Sequence, residues 1–140
     1  MFVCICKAVT DKAIKQAIAG GAEVIVRGGP VTDGPLAGGA FYRPTLLRVT
    51  DAWMPIVQHE TFGPVQTVQV FDSEAEAIAL ANNSEFGLAA SVWTRDIDRS
   101  LRVARELEAG TVALTGSDST TSRTSAARIS VDLLGSLIFK

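Results

Sequence analysis

The chain has 140 residues, 47% hydrophobic and 20% charged, with a formal net charge of −2. That length suits one domain with a genuine core, and the composition is globular rather than disordered. A slightly acidic balance with no basic run argues against nucleic acid and anionic membrane as partners, because both select a cationic surface.

No apolar run approaches the roughly 20 residues that span a bilayer. The N-terminus has neither a basic flank nor a cleavage site, so the expected compartment is the cytoplasm. Residues 3–6 alternate weakly and read as β-compatible. Thr10 is placed to cap a helix, with Asp11 in its first turn and Ile14, Ala17 and Ile18 at helical spacing. Val9 against Ile14 would be a hydrophobic staple, and Gly20-Gly21 stops the helix. Residues 22–26 read as a strand and 28–39 as a turn-rich loop. Residues 42–49 are strand-like, and Pro44 demotes their start to an edge or entry position.

Residues 65–71 show β-branched alternation and read as a strand. Ser73-x-x-Glu76 is a capping box, and Ala75, Ile78, Ala79 and Asn82 share one face of the helix after it. Residues 89–93 form the next expected strand. Asp96 caps a second helix in which Ile97, Leu101, Ala104 and Glu108 share a face, with Leu107 beside them. Gly110 ends that helix and 111–114 make a third strand. Ile78 and Leu101 are expected to pack against Val68, Val70, Val92 and Val112. Trp53 and Trp93 read as packing residues, and Asn82 as a group that satisfies backbone at the end of its own helix. Alternating strands and helices imply parallel strands joined by crossovers. The expected fold class is therefore α/β, a small parallel or mixed sheet with flanking helices. Residues 1–116 form the expected folded unit, with 1–20 as an atypical opening. From Gly116 the chain becomes rich in Ser, Thr, Ala and Arg without periodicity, so 117–140 is expected to be an irregular tail.

Several motifs occur in a fixed order: Gly20-Gly21-Ala22-Glu23-Val24, Gly28-Gly29, Pro44-Thr45, Glu60-x-Phe62-Gly63-Pro64, Ala81-Asn82, Phe86-Gly87-Leu88 and Glu108-Ala109-Gly110-Thr111-Val112. Together, from about residue 14 to 115, the sequence resembles the C-terminal part of the NAD(P)-dependent aldehyde dehydrogenase catalytic domain. The resemblance implies oxidation of a small-molecule aldehyde to an acid through a Cys thioester, with NAD or NADP as cofactor. It gives Glu60 the role of accepting hydrogen bonds from the nicotinamide-ribose hydroxyls, and places Phe62 near the nicotinamide. A carboxylate has acceptor sites enough for both hydroxyls. His59 stands where the family usually has another Glu.

No catalytic residue and no metal ligand is assigned. The family's nucleophile lies farther upstream of E-x-F-G-P than Cys6 does, and neither Cys4 nor Cys6 has its surroundings. The chain on its own is therefore expected to be inactive, to bind no cofactor tightly, and to be prone to self-association through exposed core surface. A second likeness competes with this reading. Residues 1–11, followed by Ile14, Gln16, Ala17 and Ile18, are similar to the opening of bacterioferritin-associated ferredoxin-like 2Fe–2S domains. There a C-x-C pair supplies two cluster ligands and a later C-x-x-C supplies two more. The alternative function is thus a small redox or metal- or iron–sulfur-binding interaction module using Cys4 and Cys6, although no later cysteine is present.

Overall fold

A computed structural model describes residues 5–115, 128–132 and 136–139. By contacts the chain divides into two compact units, Met1–Val68 and Gln69–Lys140.

The first unit begins with a helix, Ile5–Ala19 (α1). It starts before Thr10, so Thr10 is not an N-cap and Val9 is helical rather than a staple outside the helix. Residues 5 and 6, read from their alternation as β-compatible, are also helical; an alternation of four residues is too short to compete with a helix propagating from a packed C-terminal half. That half packs through Ile14 and Ala17, both buried. The stop at Gly20-Gly21 has the expected chemistry. Gly21 takes φ 101°, its N–H donates to the Ile18 carbonyl at 3.1 Å, and the Ala22 N–H donates to the Ala17 carbonyl at 2.9 Å. These are the paired bonds that satisfy a helix end when a glycine adopts the left-handed conformation.

Strand Glu23–Val26 (β1) follows, then the two-residue strand Gly29–Pro30 (β2) and a 3-10 turn, Gly34–Leu36. The strand-like stretch across Pro44 is split in two, Tyr42–Arg43 (β3) and Thr45–Arg48 (β4). Proline has no N–H to donate to a ladder, which is why the break falls there. β3 pairs antiparallel with β2, and β4 antiparallel with β1, with an irregularity between Val24 and Val26. After a short helix, Pro55–Gln58 (α2), the chain enters strand Val65–Val70 (β5), which runs parallel to β4 from Thr45↔Val65 to Arg48↔Val68. The core of this unit gathers Ala17, Ala22, Leu47, Val49, Met54, Ile56 and Val57.

The second unit holds helix Glu74–Asn82 (α3), strand Ala89–Trp93 (β6), helix Ile97–Glu106 (α4) and strand Thr111–Thr115 (β7). The Ser73 hydroxyl accepts the Glu76 N–H at 3.1 Å. The Glu76 carboxylate reaches back to the Asp72 N–H at 2.8 Å, one residue beyond the usual partner of a capping box. The Asp96 carboxylate caps α4 by accepting the Arg99 N–H at 3.0 Å. β6 and β7 run parallel.

Two helical faces differ from the sequence reading. On α3 the buried residues are Ala77 and Ala81, Ile78 is partly buried, and Ala75 and Ala79 are exposed. On α4 Ser100 and Val103 are buried, with Leu107 at its C-cap, whereas Ile97 and Leu101 remain exposed. A buried serine is tolerable here because its hydroxyl donates to the Ile97 carbonyl at 2.8 Å. The buried stripe of α4 thus runs through Ser100 and Val103, one position before the expected Leu101 and Ala104, while Leu107 and Ile78 do pack against the core.

Asn82 also acts elsewhere than expected. Its amide donates to the Glu106 carbonyl at 2.7 Å and accepts the Glu108 N–H at 3.0 Å. It therefore closes the C-terminus of α4 rather than that of its own helix. Across the two helices, Glu74 of α3 takes a two-pronged hydrogen bond from Arg102 of α4, both arms 3.1 Å. This guanidinium, with Arg99 nearby, holds the Glu74 carboxyl below its ordinary range. A depressed folded-state carboxyl contributes stability that is fully present above its unfolded value and lost as pH falls through the folded one. The Tm difference between wild type and Glu74→Gln should thus be largest near neutral pH and shrink as acidification passes below the ordinary carboxylate range. A difference that stayed constant with pH would contradict the ion pair.

The expectation of an irregular tail is corrected in part. Arg128–Asp132 (β8) and Ser136–Phe139 (β9) are strands, antiparallel to each other, and β8 pairs antiparallel with β6 from Ala89↔Asp132 to Trp93↔Arg128. Arg-Ile-Ser-Val-Asp does alternate with period two, but its five residues gain strand character only by pairing with β6. Residues 117–127 lie outside those described.

Candidate functional site

The motif around Glu60 is held at both ends. Upstream, the 51–54 turn is tied to α2 by its own polar groups. The Asp51 carboxylate accepts the Trp53 N–H at 2.9 Å, and the Gln58 amide donates to the Ala52 carbonyl at 2.7 Å. Pro55 opens α2, where its missing N–H costs nothing, and Ile56 and Val57 bury the helix against the core. His59 ends the helix in an extended conformation, with its N–H on the Pro55 carbonyl at 2.9 Å. Downstream, the Val65 N–H donates to the Gly63 carbonyl at 2.8 Å, and the Pro64 carbonyl accepts the Thr45 N–H at 2.9 Å. Residues 60–62 therefore span a short bridge between a buried helix and the start of β5.

A cleft of about 560 Å³ opens beside this bridge. Ala13 and Ala17 of α1, with Met54 and Ile56, give it an apolar wall, and Asp51, Trp53, His59, Glu60 and Thr61 line it as well. Glu60 is exposed, so its carboxylate oxygens are open to a ligand. Phe62 is 60% exposed and is not among the residues lining this cleft. The structure thus brings Glu60, His59 and Thr61 together and leaves Phe62 on the surface next to them. The residues present fit the diol end of a nucleotide cofactor: a solvent-open carboxylate is a double acceptor for adjacent hydroxyls.

Trp53 departs from its reading as a packing residue. It is 73% exposed at the cleft. Trp93 is likewise exposed, at 43%. The signal for Trp53 was present in the sequence as Asp51-Ala52-Trp53, since an aspartate two residues ahead can fix a turn through its side chain.

Cys6 lies in α1 and Cys4 lies outside the described residues. Among the described residues no group of His, Cys, Asp and Glu is placed to hold a metal ion.

The Aldehyde dehydrogenase family profile matches residues 7–127. The match extends past both ends of the resemblance drawn from motifs. It takes in nearly all of α1, so the residues after Cys6 that suggested a ferredoxin-like opening fall within it, and the iron–sulfur alternative gains no support. The chain is 43% identical over 106 residues to betaine aldehyde dehydrogenase of Bacillus subtilis, covering 76% of this chain and 22% of that protein. It is 51% identical over 77 residues to the 5-carboxymethyl-2-hydroxymuconate semialdehyde dehydrogenase of Escherichia coli, covering 55% of this chain and 16% of that one. Among solved structures it is similar to betaine aldehyde dehydrogenase of Staphylococcus aureus in complex with NAD+, at TM-score 0.75 and 37% identity over 87% of this chain and 24% of that chain. It is also similar to an aldehyde dehydrogenase of Mycobacterium tuberculosis complexed with NAD+, at TM-score 0.72 and 35% identity over 78% and 22%. The chain therefore spans less than a third of the length of these relatives.

Proposed function

The chain belongs to the aldehyde dehydrogenase family, and from that premise we propose that it supplies one end of the cofactor site used for NAD(P)-dependent aldehyde oxidation. The single observation that carries this reading is Glu60, exposed on the cleft wall and held by anchored backbone on either side. In it, Glu60 accepts hydrogen bonds from the nicotinamide-ribose hydroxyls and Phe62 limits the swing of the nicotinamide ring from outside the cleft. The bound cofactor supplies the hydride acceptor. The chain's own part is to orient the ribose, so that the ring presents one face to the reacting carbon. The proposed substrate is a small-molecule aldehyde and the proposed compartment the cytoplasm. No helix among the described residues is long and apolar enough to cross a membrane.

These 140 residues alone are proposed to be inactive. Aldehyde oxidation in this mode requires a thiolate, a general base and a held nicotinamide within a few ångströms of one another. The two thiols are Cys4 and Cys6, and Cys6 sits in α1. Purified chain mixed with NAD+ and betaine aldehyde or benzaldehyde should generate no NADH absorbance above the protein-free control. Turnover that disappeared in Cys6→Ser would overturn this, since it would make the helical thiol a nucleophile.

A further inference from the structure

Strand β6 is paired along its whole length on both flanks. β7 takes one flank in parallel, from Ala89↔Thr111 to Trp93↔Thr115. β8 takes the other in antiparallel register, from Ala89↔Asp132 to Trp93↔Arg128, with no bulge. This second occupant begins at residue 128, and the family match ends at 127. Without β8, that flank of β6 would present a row of unpaired N–H and C=O groups, a template for a strand of another chain. β6 lacks the devices that blunt such an edge. From Leu88 to Thr94 the sequence holds no charge, no proline and no glycine, and segments of that composition pair readily once exposed. The tether suits a strand that closes onto its own chain. Thr115 and Arg128 both lie level with Trp93, on its opposite flanks. The chain therefore has only to cross β6, roughly 10 Å at the usual strand spacing. Residues 116–127 are available for the crossing, and at about 3.3 Å each they reach well beyond it. A strand tied this closely meets its site at an effective concentration on the order of millimolar, ahead of any copy in dilute solution. Once paired, both strands of the hairpin lie against α3.

We propose that the β8–β9 hairpin is an intramolecular edge cap. It fills the strand-accepting flank of β6 and keeps that flank from accepting an extended strand of a second copy of the chain. The cap uses none of the residues that line the Glu60 cleft, so it holds whether or not that cleft takes a cofactor. A tether longer than its crossing lets the hairpin leave while the rest of the chain stays folded. Self-association through β6 is then set by whether the cap is in place.

The test uses the full chain with Cys4→Ser and Cys6→Ser, so that any introduced thiols are its only ones. Ser130 sits at the centre of β8, opposite Ser91, in a strand paired with β6 on one side and β9 on the other. Ser130→Pro therefore loses a ladder bond whichever way that N–H faces. By sedimentation velocity at matched concentrations, its weight-average mass should be at least about two-fold that of the parent. Ser130→Ala keeps the ladder and should match the parent. Association through misfolding is told apart with a synthetic peptide of residues 126–140. Supplied at about millimolar concentration, it should bring Ser130→Pro back toward the parent's mass, and the same peptide carrying the proline should not. A covalent lock checks the register. Directly opposed residues of antiparallel strands lie within disulfide reach, so Ser91→Cys with Ser130→Cys should oxidise within one chain. The locked chain should stay at or below the parent's mass. An unchanged mass for Ser130→Pro, a raised mass that the peptide does not lower, or a lock that fails to close within one chain would each overturn the proposal.

Discussion

Leu47→Ala is expected to cost about 3–4 kcal/mol, among the largest losses available to a single truncation in this chain. Leu47 is fully buried at 0% exposure in the middle of β4. It pairs with Val24 of β1 on one side and Thr67 of β5 on the other. Removing its side chain leaves a void that neither neighbour can fill, because both flanking strands are held by their ladders. Val49 of the same cluster is nearly as enclosed, at 2% exposure, and enclosed walls relax little around a cavity. The control is Ile25→Ala on β1, where the side chain is 49% exposed; its cost should stay below about 1 kcal/mol. Equilibrium urea denaturation measures both. A loss under about 1 kcal/mol for Leu47→Ala would mean that the core of the first unit is assigned wrongly.

Gly28→Ala should be nearly as damaging, for the opposite reason. A Cβ at Gly28 would press into the carbonyl oxygens of Arg43 and Pro44 and the hydroxyl of Thr45. Two of these are backbone atoms at the junction of β3 and β4, and Thr45 is itself buried at 4% exposure. The added methyl can be housed only by separating the 28–30 segment from that junction and loosening the β2–β3 ladder beside it. Overpacking of this kind costs about 1–3 kcal/mol and sometimes more, and the backbone contacts place Gly28 at the upper end. Gly38→Ala is the matched control. A Cβ there meets nothing within 4 Å, so the change should be neutral or raise stability by up to about 1 kcal/mol through the unfolded chain. Similar denaturation midpoints for the two variants would contradict the close approach at Gly28.

What the sequence made legible is local and what it hid is not. The Gly20-Gly21 stop, the weak start around Pro44, and the caps at Ser73 and Asp96 depend on one residue's backbone chemistry and a partner within a few positions. The start of α1 escaped because Thr10 could cap a helix only if the chain before it were not already helical. The packed face of α4 escaped because Ser100 is buried and Leu101 is not, and only a tertiary surface chooses between adjacent stripes. The β8 and β9 strands escaped because a five-residue alternation inside a polar segment becomes a strand only when β6 offers its edge. The site was legible in the same uneven way. Glu60 and Phe62 were singled out through the order of neighbouring motifs, and of the two only Glu60 lines the cleft. Trp53 was taken for packing, because an aromatic is usually buried and nothing local says that a cleft opens beside it.

The central claim is that this chain carries one end of an aldehyde dehydrogenase cofactor site and not a self-sufficient one. A charge-assisted contact of the Glu60 type contributes about 1.5–3 kcal/mol when well formed. Association costs about 4 kcal/mol or more, and millimolar affinity already requires about 4 kcal/mol net. Isothermal calorimetry of the chain with NAD+, set beside Glu60→Gln, measures the balance. The expected result is binding no tighter than millimolar, weakened further by Glu60→Gln. A micromolar dissociation constant for NAD+ in the wild-type chain would contradict the claim, because it would mean that these residues hold the whole cofactor by themselves.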